Sequence, residues 1–338
     1  MEDTDMAKVK IGVISFEHMH ALSYTTALTK MADEVELVGI ADDNEFRGTK
    51  MAYQFGTRYF KNYKDLLDTD IDGVIICTSN KKHCQVSLDA AAKKKHILVE
   101  KPFAMTLEEA EKMLKTAEEN GVRIMNAFPM RFNPAVVEAK GIIDRGEIGK
   151  ILSITGINHG KIPSGWFIDP DQSGGGGIMD HTVHLADLMR WFTGSEYEAA
   201  YCEGGDLIHD KNIDDCGLVA AEFADGSFVT IDCSWAHHVN YPIWPQVDME
   251  IIGDKGALEV KAFAQVNRLY DAQKGVIEDI VWNADGDEGL VAEFVDVCRT
   301  GKQPNASGLD GAKALELALA SYESQRTHEK IGIKHINL

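Results

Sequence analysis

Val9-Lys10-Ile11-Gly12-Val13-Ile14-Ser15, a helical stretch over residues 20–31, and Val35-Glu36-Leu37-Val38-Gly39-Ile40-Ala41 read as strand, helix and strand. Both apolar runs are short and rich in Val and Ile, as in strands buried on both faces. The same alternation continues outward. Residues 43–55 read as a helix, 58–60 as a short strand, and a short helix begins at 65–67. Gly73-Val74-Ile75-Ile76-Cys77 is a continuous apolar strand, 83–94 a helix and 96–100 a strand. Residues 106–120 form an amphipathic helix, with Thr106 and Glu109 spaced as a capping box and Gly121 as its stop. A strand over 122–126 follows. Strands alternating with helices predict a parallel, doubly wound α/β sheet of Rossmann type.

The pattern changes after residue 127, where Pro129, Asn133 and Pro134 mark a boundary. A helix over 135–145 and a strand over 151–157 lead to a Gly-rich loop at 173–177 and a helix over 179–192. Strands 218–223 and 227–234 flank Ala224-Asp225-Gly226, and 247–252 and 257–260 flank Asp254-Lys255-Gly256. Tight turns of this kind predict antiparallel pairs. Helices over 289–299 and 309–327 close the chain. The expectation is a dinucleotide-binding domain over 1–127 and an α+β domain over 128–338 with a large, mostly antiparallel sheet.

The chain has 338 residues, too many for one typical core. Its net charge of −20 excludes nucleic acid and anionic membranes as favoured partners, because both would be repelled. No apolar run is long enough to span a bilayer. The acidic, polar start lacks the basic-then-apolar order of a signal peptide, so the cytoplasm is the expected location. Six scattered cysteines with no C-x-x-C pair suggest free thiols.

In a doubly wound domain, ligands bind at the carboxyl ends of the strands. Four segments end there. In the first, Ser15, Glu17 and His20 stand where a dinucleotide fingerprint would have glycines. Backbone N–H groups at the helix start around Ser15, Phe16 and His18 could still hold a diphosphate, while Glu17 would be unfavourable there unless turned away. In the second, Asp42 stands where a ribose 2′-hydroxyl is bound and disfavours the 2′-phosphate of NADP, with Asp43 or Asn44 capping the next helix. The third is Cys77-Thr78-Ser79-Asn80 followed by His83, a helix cap or a cofactor contact. The fourth is Glu100-Lys101-Pro102, where a lysine ends a buried strand.

In the second half, Asp180, His184 and Asp187 fall at i, i+4 and i+7, one face of a helix. Three ionisable groups on a core helix are expensive without partners. The glycines before it allow close approach of backbone to a ligand. The set suits general acid–base chemistry. As a metal site it would need His159, His181 or the pair His237-His238 to complete it, and no metal is assigned.

At Glu100-Lys101-Pro102, at the run 175–187 with its D-x-x-x-H-x-x-D core, at Ala41-Asp42, at 77–83 and at Arg131-Phe132-Asn133-Pro134, the chain resembles the glucose–fructose oxidoreductase / inositol dehydrogenase (Gfo/Idh/MocA) family over essentially its whole length. The resemblance implies an NAD(P)-dependent dehydrogenase acting on a CH–OH group of a sugar, polyol or related metabolite. It implies Lys101, Asp180 and His184 as the catalytic set. His184 would accept the hydroxyl proton, Lys101 would stabilise charge on the same oxygen, and Asp180 would orient the site or relay the proton. Cofactor contacts would come from Asp42, Thr78, Asn80, His83 and Glu100, together with Lys101 and Arg131, with NAD preferred over NADP. The turn departs from the family in its missing glycines, and Ser79 replaces a common proline. His159, Lys161 and Trp166 are candidate substrate contacts. The open face of the second sheet predicts a homodimer or homotetramer. Two other readings share these motifs: a glycosidase or lyase that uses NAD transiently, and a non-catalytic NAD-binding regulator.

Overall fold

The computed structural model describes residues 7–337 apart from 242, 265, 272–275 and 282–285. The chain splits into two compact units: Met1–Ala127 with Asp287–Ala312 and Ile336–Leu338, and Phe128–Gly286 with Lys313–His335.

The first unit begins β1 (Val9–Ile14), α1 (His20–Lys30), β2 (Val35–Ala41), α2 (Glu45–Gln54), β3 (Arg58–Phe60) and α3 (Tyr63–Leu67). It continues β4 (Gly73–Ile76), α4 (Asn80–Ala92), β5 (His96–Val99), α5 (Leu107–Glu119) and β6 (Ile124–Asn126). The sheet order is β3-β2-β1-β4-β5-β6, and every pair is parallel. Winding reverses at β1 and β4, the switch point at which such sheets bind ligands. Ile11, Val13, Val74, Ile75 and Ile76 are wholly buried, each contributing about 1.5–3 kcal/mol of apolar burial. That burial is why the runs carry no polar alternation. Helix α5 starts as expected: Thr106 accepts from the Glu109 N–H at 3.2 Å. In return the Glu109 carboxylate accepts from the Met105 N–H at 3.0 Å, one residue further out than the cap.

The second unit contains α6 (Pro134–Asp144), β7 (Ile151–Lys161), α7 (Pro170–Ser173), α8 (Gly177–Thr193), β8 (Tyr197–Gly205), β9 (Cys216–Phe223) and β10 (Phe228–His237). It adds β11 (Gln246–Gly253), β12 (Ala257–Lys261) and a separate hairpin of β13 (Val266–Asp271) and β14 (Val276–Val281). Helices α9 (Asp287–Thr300) and α10 (Gly308–Thr327) and strand β15 (Ile331–Gly332) end the chain. The seven-stranded sheet runs β12-β11-β7-β10-β9-β8-β15. It is antiparallel except for β7 against β10, a parallel pair that hairpin turns alone do not foretell. Along β9, Val219, Ala221 and Phe223 are buried while Ala220 and Glu222 are exposed. Helix α8 packs on the inner face, against β7 and β10.

One expected assignment needs correction. Residues 287–312 are expected in the second domain. In the structure α9 packs on α1 and against β1 and β5 of the first. Its apolar stripe, Leu290, Val291, Phe294 and Val297, is fully buried, and a stripe does not say which sheet it covers.

Candidate active site

The turn after β1 closes on itself. Ser15 takes a positive φ of 71°, which costs energy for a non-glycine residue, and the turn is held by its own donors. Ser15 N–H donates to the Ala41 carbonyl at 2.7 Å and His18 N–H to the Cys77 carbonyl at 3.0 Å. Phe16 N–H donates to Asp42 at 2.9 Å, Glu17 N–H to the Ser15 hydroxyl at 3.1 Å, and His20 N–H to the His18 ring at 3.3 Å. The Glu17 carboxylate accepts from Ser79 N–H and from Lys82, both at 2.9 Å. It therefore serves the start of α4.

Asp42, at the end of β2, has no exposed side-chain surface. Its carboxylate accepts from Phe16 N–H and Asn44 N–H, both at 2.9 Å, and from Arg47 Nε and Nη2, both at 2.7 Å. Asn44 is the cap of α2, accepting from Arg47 N–H at 3.0 Å. Sequence reasoning missed Arg47. Its only signal is a base one turn into the helix that follows a buried acid. A cavity of about 390 Å³ opens at this rim, lined by Ser15, Asp42, Tyr63, Thr78 and Lys82 among others. A buried acid, three hydroxyl-bearing residues and a cavity at the switch point fit the adenosine end of a dinucleotide.

Glu100 and Lys101 follow β5, and both are buried. One Glu100 oxygen lies 3.1 Å from His20 Nδ1 and 3.6 Å from His18 Nδ1, and the other accepts from Lys101 N–H at 3.0 Å. Burial would raise the Glu100 pKa, but the two imidazoles and Lys101 outweigh it and hold the carboxyl far below the usual range. His18, His20 and Glu100 are also a group whose ligand atoms all lie within 4.8 Å of one another. The candidate metal set drawn from the second half has no such geometry among the described residues. His159 lies 2.8 Å from Asp232, and His237 lies 3.2 Å from the Trp244 carbonyl and 3.3 Å from Gln246 Oε1.

His83 stands behind the rim. Its ring is fully buried, 2.9 Å from the Pro102 carbonyl and 3.3 Å from that of Thr78, and burial pushes its pKa down. A sealed ring offers no surface to a ligand; it braces the two loops that carry Thr78 and Lys101. Asn80 is the first residue of α4 and is buried.

In the second unit, the start of α8 is capped by two residues that sequence reasoning missed. Asp214 accepts from Gly176 N–H at 2.9 Å and Ile178 N–H at 2.7 Å. The Tyr322 hydroxyl accepts from Gly176 N–H at 3.0 Å and Met179 N–H at 3.1 Å, and donates to Asp214 at 2.9 Å. A Cβ on Gly175 would lie 2.1 Å from the Tyr322 hydroxyl, and one on Gly176 1.8 Å from the Asp214 carbonyl. The glycine run is therefore explained by these close packings, in place of the expected approach to a ligand.

The ionisable stripe of α8 divides. Asp187 is buried in a bidentate pair with Arg131, at 2.7 and 2.6 Å, and the guanidinium lies 5.2 Å from the Trp191 ring centre. Arg131, expected at the cofactor, is thus committed to the core of this unit. Asp180 accepts from Trp235 Nε1 at 2.9 Å and lies 3.4 Å from His181 Nε2. The His184 ring stands edge-on to Phe128, 6.2 Å between centroids. From Gly177 to Met189, every residue is buried except Asp180 and His184.

The expected substrate contacts scatter. A Cβ on Gly156 would meet Met189 and Leu185 of α8, and one on Gly160 would meet His181. Those residues mark the inner face of β7, so strand alternation puts His159 and Lys161 on the opposite face. There His159 faces Asp232, and Lys161 donates to the Val239 carbonyl at 3.0 Å. Trp166 stacks on Phe167 at 3.9 Å.

A doubly wound sheet with a buried acid after β2 and a cavity at its switch point defines a dinucleotide-binding protein. Two family models match the chain. The oxidoreductase family with an NAD-binding Rossmann fold covers residues 9–128, and the Gfo/Idh/MocA C-terminal domain covers 136–259. The chain belongs to the Gfo/Idh/MocA oxidoreductase family. It is 25% identical to the myo-inositol 2-dehydrogenase of Thermotoga maritima over 97% of this chain and 99% of the relative. It is 27% identical to the scyllo-inositol 2-dehydrogenase (NAD(+)) of Bacillus subtilis over 94% and 93%. The crystal structure of GenD2 from gentamicin A biosynthesis, in complex with NAD, superposes with a TM-score of 0.89 at 23% identity over 98% of both chains, a likeness of fold.

Proposed function

We propose that this oxidoreductase removes hydride from a ring CH–OH group of a polyol or sugar and passes it to NAD. The observation that carries the reading is the buried stretch of α8 from Gly177 to Met189 in which Asp180 and His184 are the two half-buried residues, with His181 beside them keeping a small exposed edge. Burying most of a helix while leaving one acid and one imidazole accessible is what general acid–base chemistry requires. In this reading His184 accepts the hydroxyl proton, Asp180 orients it through a carboxylate fixed by Trp235, and Lys101 stabilises negative charge on the substrate oxygen. The inositol dehydrogenases among the relatives support the substrate class. The bound cofactor would supply the hydride acceptor. Ser15, Asp42 and Thr78 would hold its adenosine end, and Glu100 would act near its ribose.

The test is net reduction of NAD, followed by NADH absorbance, across inositols and cyclic sugars. Turnover with at least one of them is expected. Substrate conversion without net NADH would move the assignment to a transient NAD user, and no conversion alongside tight NAD binding would move it to a regulator.

A homodimer or homotetramer is proposed through the outer face of the second sheet, where Leu218, Phe228 and Ile252 are exposed. Light scattering should give a multiple of the monomer mass, reduced to one by Phe228→Glu with Ile252→Lys. No helix among the described residues is long and apolar enough to cross a membrane. All six cysteines are unpaired, which suits the reducing cytoplasm.

A further inference from the structure

In a doubly wound domain the diphosphate of a dinucleotide sits at the start of the helix after β1, normally on backbone N–H groups of a glycine turn. Here the N–H groups of Ser15, Phe16, Glu17, His18 and His20 are engaged within the protein, and Met19, just before α1, contributes the one backbone N–H of the turn outside that set. One backbone N–H does not replace a glycine turn, so a diphosphate here calls for a side-chain cation as well. The nearby Lys82 is bonded to Glu17 and Asp43 at 2.9 and 3.0 Å, and Arg47 to Asp42, so both cations already have acids.

The first residue of α1 is His20, whose side chain is 32% exposed. Its Nδ1 faces Glu100 at 3.1 Å and the Tyr24 hydroxyl at 3.3 Å, which leaves Nε2 on the other edge of the ring. Glu100 is wholly buried and takes its second bond from a backbone donor, so it behaves as a fixed anion behind the imidazole. We propose that His20 is the phosphate-binding group of this chain: its imidazolium donates Nδ1–H to Glu100 and Nε2–H to a diphosphate oxygen, replacing the glycine turn. His18, packed against it at 4.6 Å between ring centroids, is its positioning residue. The inference rests on the dinucleotide reading and deepens it.

The groups facing His20 are His18 in the turn before α1, Tyr24 on α1, Glu100 and Lys101 after β5, and Asp287 at the start of α9. Burial opposes its protonation and so does Lys101, but Glu100 and Asp287 prevail, and its pKa is raised. The sign follows: the bond to phosphate is present while the ring is protonated and is lost as pH rises through that raised pKa.

The experiment measures dissociation constants of NAD and of adenosine by calorimetry from pH 5.5 to 9 on the full chain. Wild type should lose about tenfold or more in NAD affinity across this range, a charge-assisted bond being lost. Adenosine, which has no phosphate, should be indifferent to pH. His20→Asn should bind NAD weakly at every pH yet bind adenosine as wild type does, which also shows that it folds. His20→Arg should bind NAD without pH dependence. A pH-invariant NAD affinity in wild type, or an unchanged pH profile in His20→Asn, would overturn this inference alone. No NAD binding at any pH would overturn the dinucleotide reading with it. One equivalent of tightly bound zinc, lost in His18→Ala, would overturn it too, by showing that His18, His20 and Glu100 ligate a metal.

Discussion

The starts of α1 and α8 pose the same problem and solve it differently. Each helix leaves N–H donors without intrahelical partners. At α1 the answers are close at hand: the Ser15 hydroxyl, the His18 ring, and Asp42 and Cys77 at neighbouring strand ends. At α8 they come from Asp214 and Tyr322, 36 and 143 residues away from the N–H groups of Ile178 and Met179. Glycine is absent from the first and abundant in the second. Yet the glycines of α8 are there because a tyrosine and a backbone carbonyl press on them. Glycine at a helix start thus reports crowding of the backbone, and whether the crowding comes from a ligand or from the protein is a separate question. The same contrast divides the charged residues near each start into those that hold the fold and those left to act.

The largest expected effect tests that division. Lys101→Ala and His184→Ala should each lower kcat by about 10²–10⁴-fold, and His184→Ala should change NAD affinity less than twofold. In the His184 variant the acid limb of the pH–rate profile for oxidation should vanish. Near wild-type turnover in either variant would remove it from the mechanism.

Asp187 lies one turn beyond His184 and should behave in the opposite way. Asp187→Ala strands a buried Arg131 guanidinium, a loss of about 3–5 kcal/mol. The urea midpoint should fall steeply, whereas Asp180→Asn should leave it nearly unchanged and lower kcat. Equal effects on stability would collapse the distinction between the two acids.

Much of this was legible in the sequence, for reasons that differ by place. The first sheet follows from local signals: apolar runs of strand length, and caps such as Thr106 and Asn44. The D-x-x-x-H-x-x-D stripe is legible because helical periodicity puts three residues on one face. What periodicity cannot give is depth. It does not tell that Asp187 is sealed against Arg131 while Asp180 keeps exposed surface, since the partners arrive from other segments. His159 and Lys161 show the limit in a strand. Their types suit a substrate, but an alternation of two sets them on the face away from α8. Asp214 and Tyr322 left no pattern at all, because each acts on a residue far from it along the chain, and Arg47 left only the faint one of a base one turn into the helix after an acid.

A smaller effect probes the α8 cap. Tyr322→Phe removes one acceptor for two N–H groups and one donor to Asp214. It should cost about 1–2 kcal/mol, the range for losing a cap, with substrate turnover per folded molecule retained. A loss of kcat without a loss of stability would mean that the cap is part of the chemistry.

The smallest effect concerns the other helix start and the choice of cofactor. Asp42 was expected to select NAD by repelling a 2′-phosphate, but Arg47 now occupies one acceptor position on each of its oxygens. A ribose diol competes with that fork, while a phosphate could take the guanidinium for itself, so the arginine blunts the selectivity that the acid supplies. The Arg47 side chain is 29% exposed, which leaves it room to move. Arg47→Ala should therefore tighten NAD a few-fold and weaken NADP. The ratio of their dissociation constants should shift about tenfold, equivalent to about 1.4 kcal/mol. Arg47→Lys keeps the charge but loses the fork, and should fall in between. Calorimetry with both cofactors decides it: an unchanged ratio in Arg47→Ala would mean that the Asp42–Arg47 pair is a brace for the turn, and that selection between the two cofactors is made elsewhere on the rim.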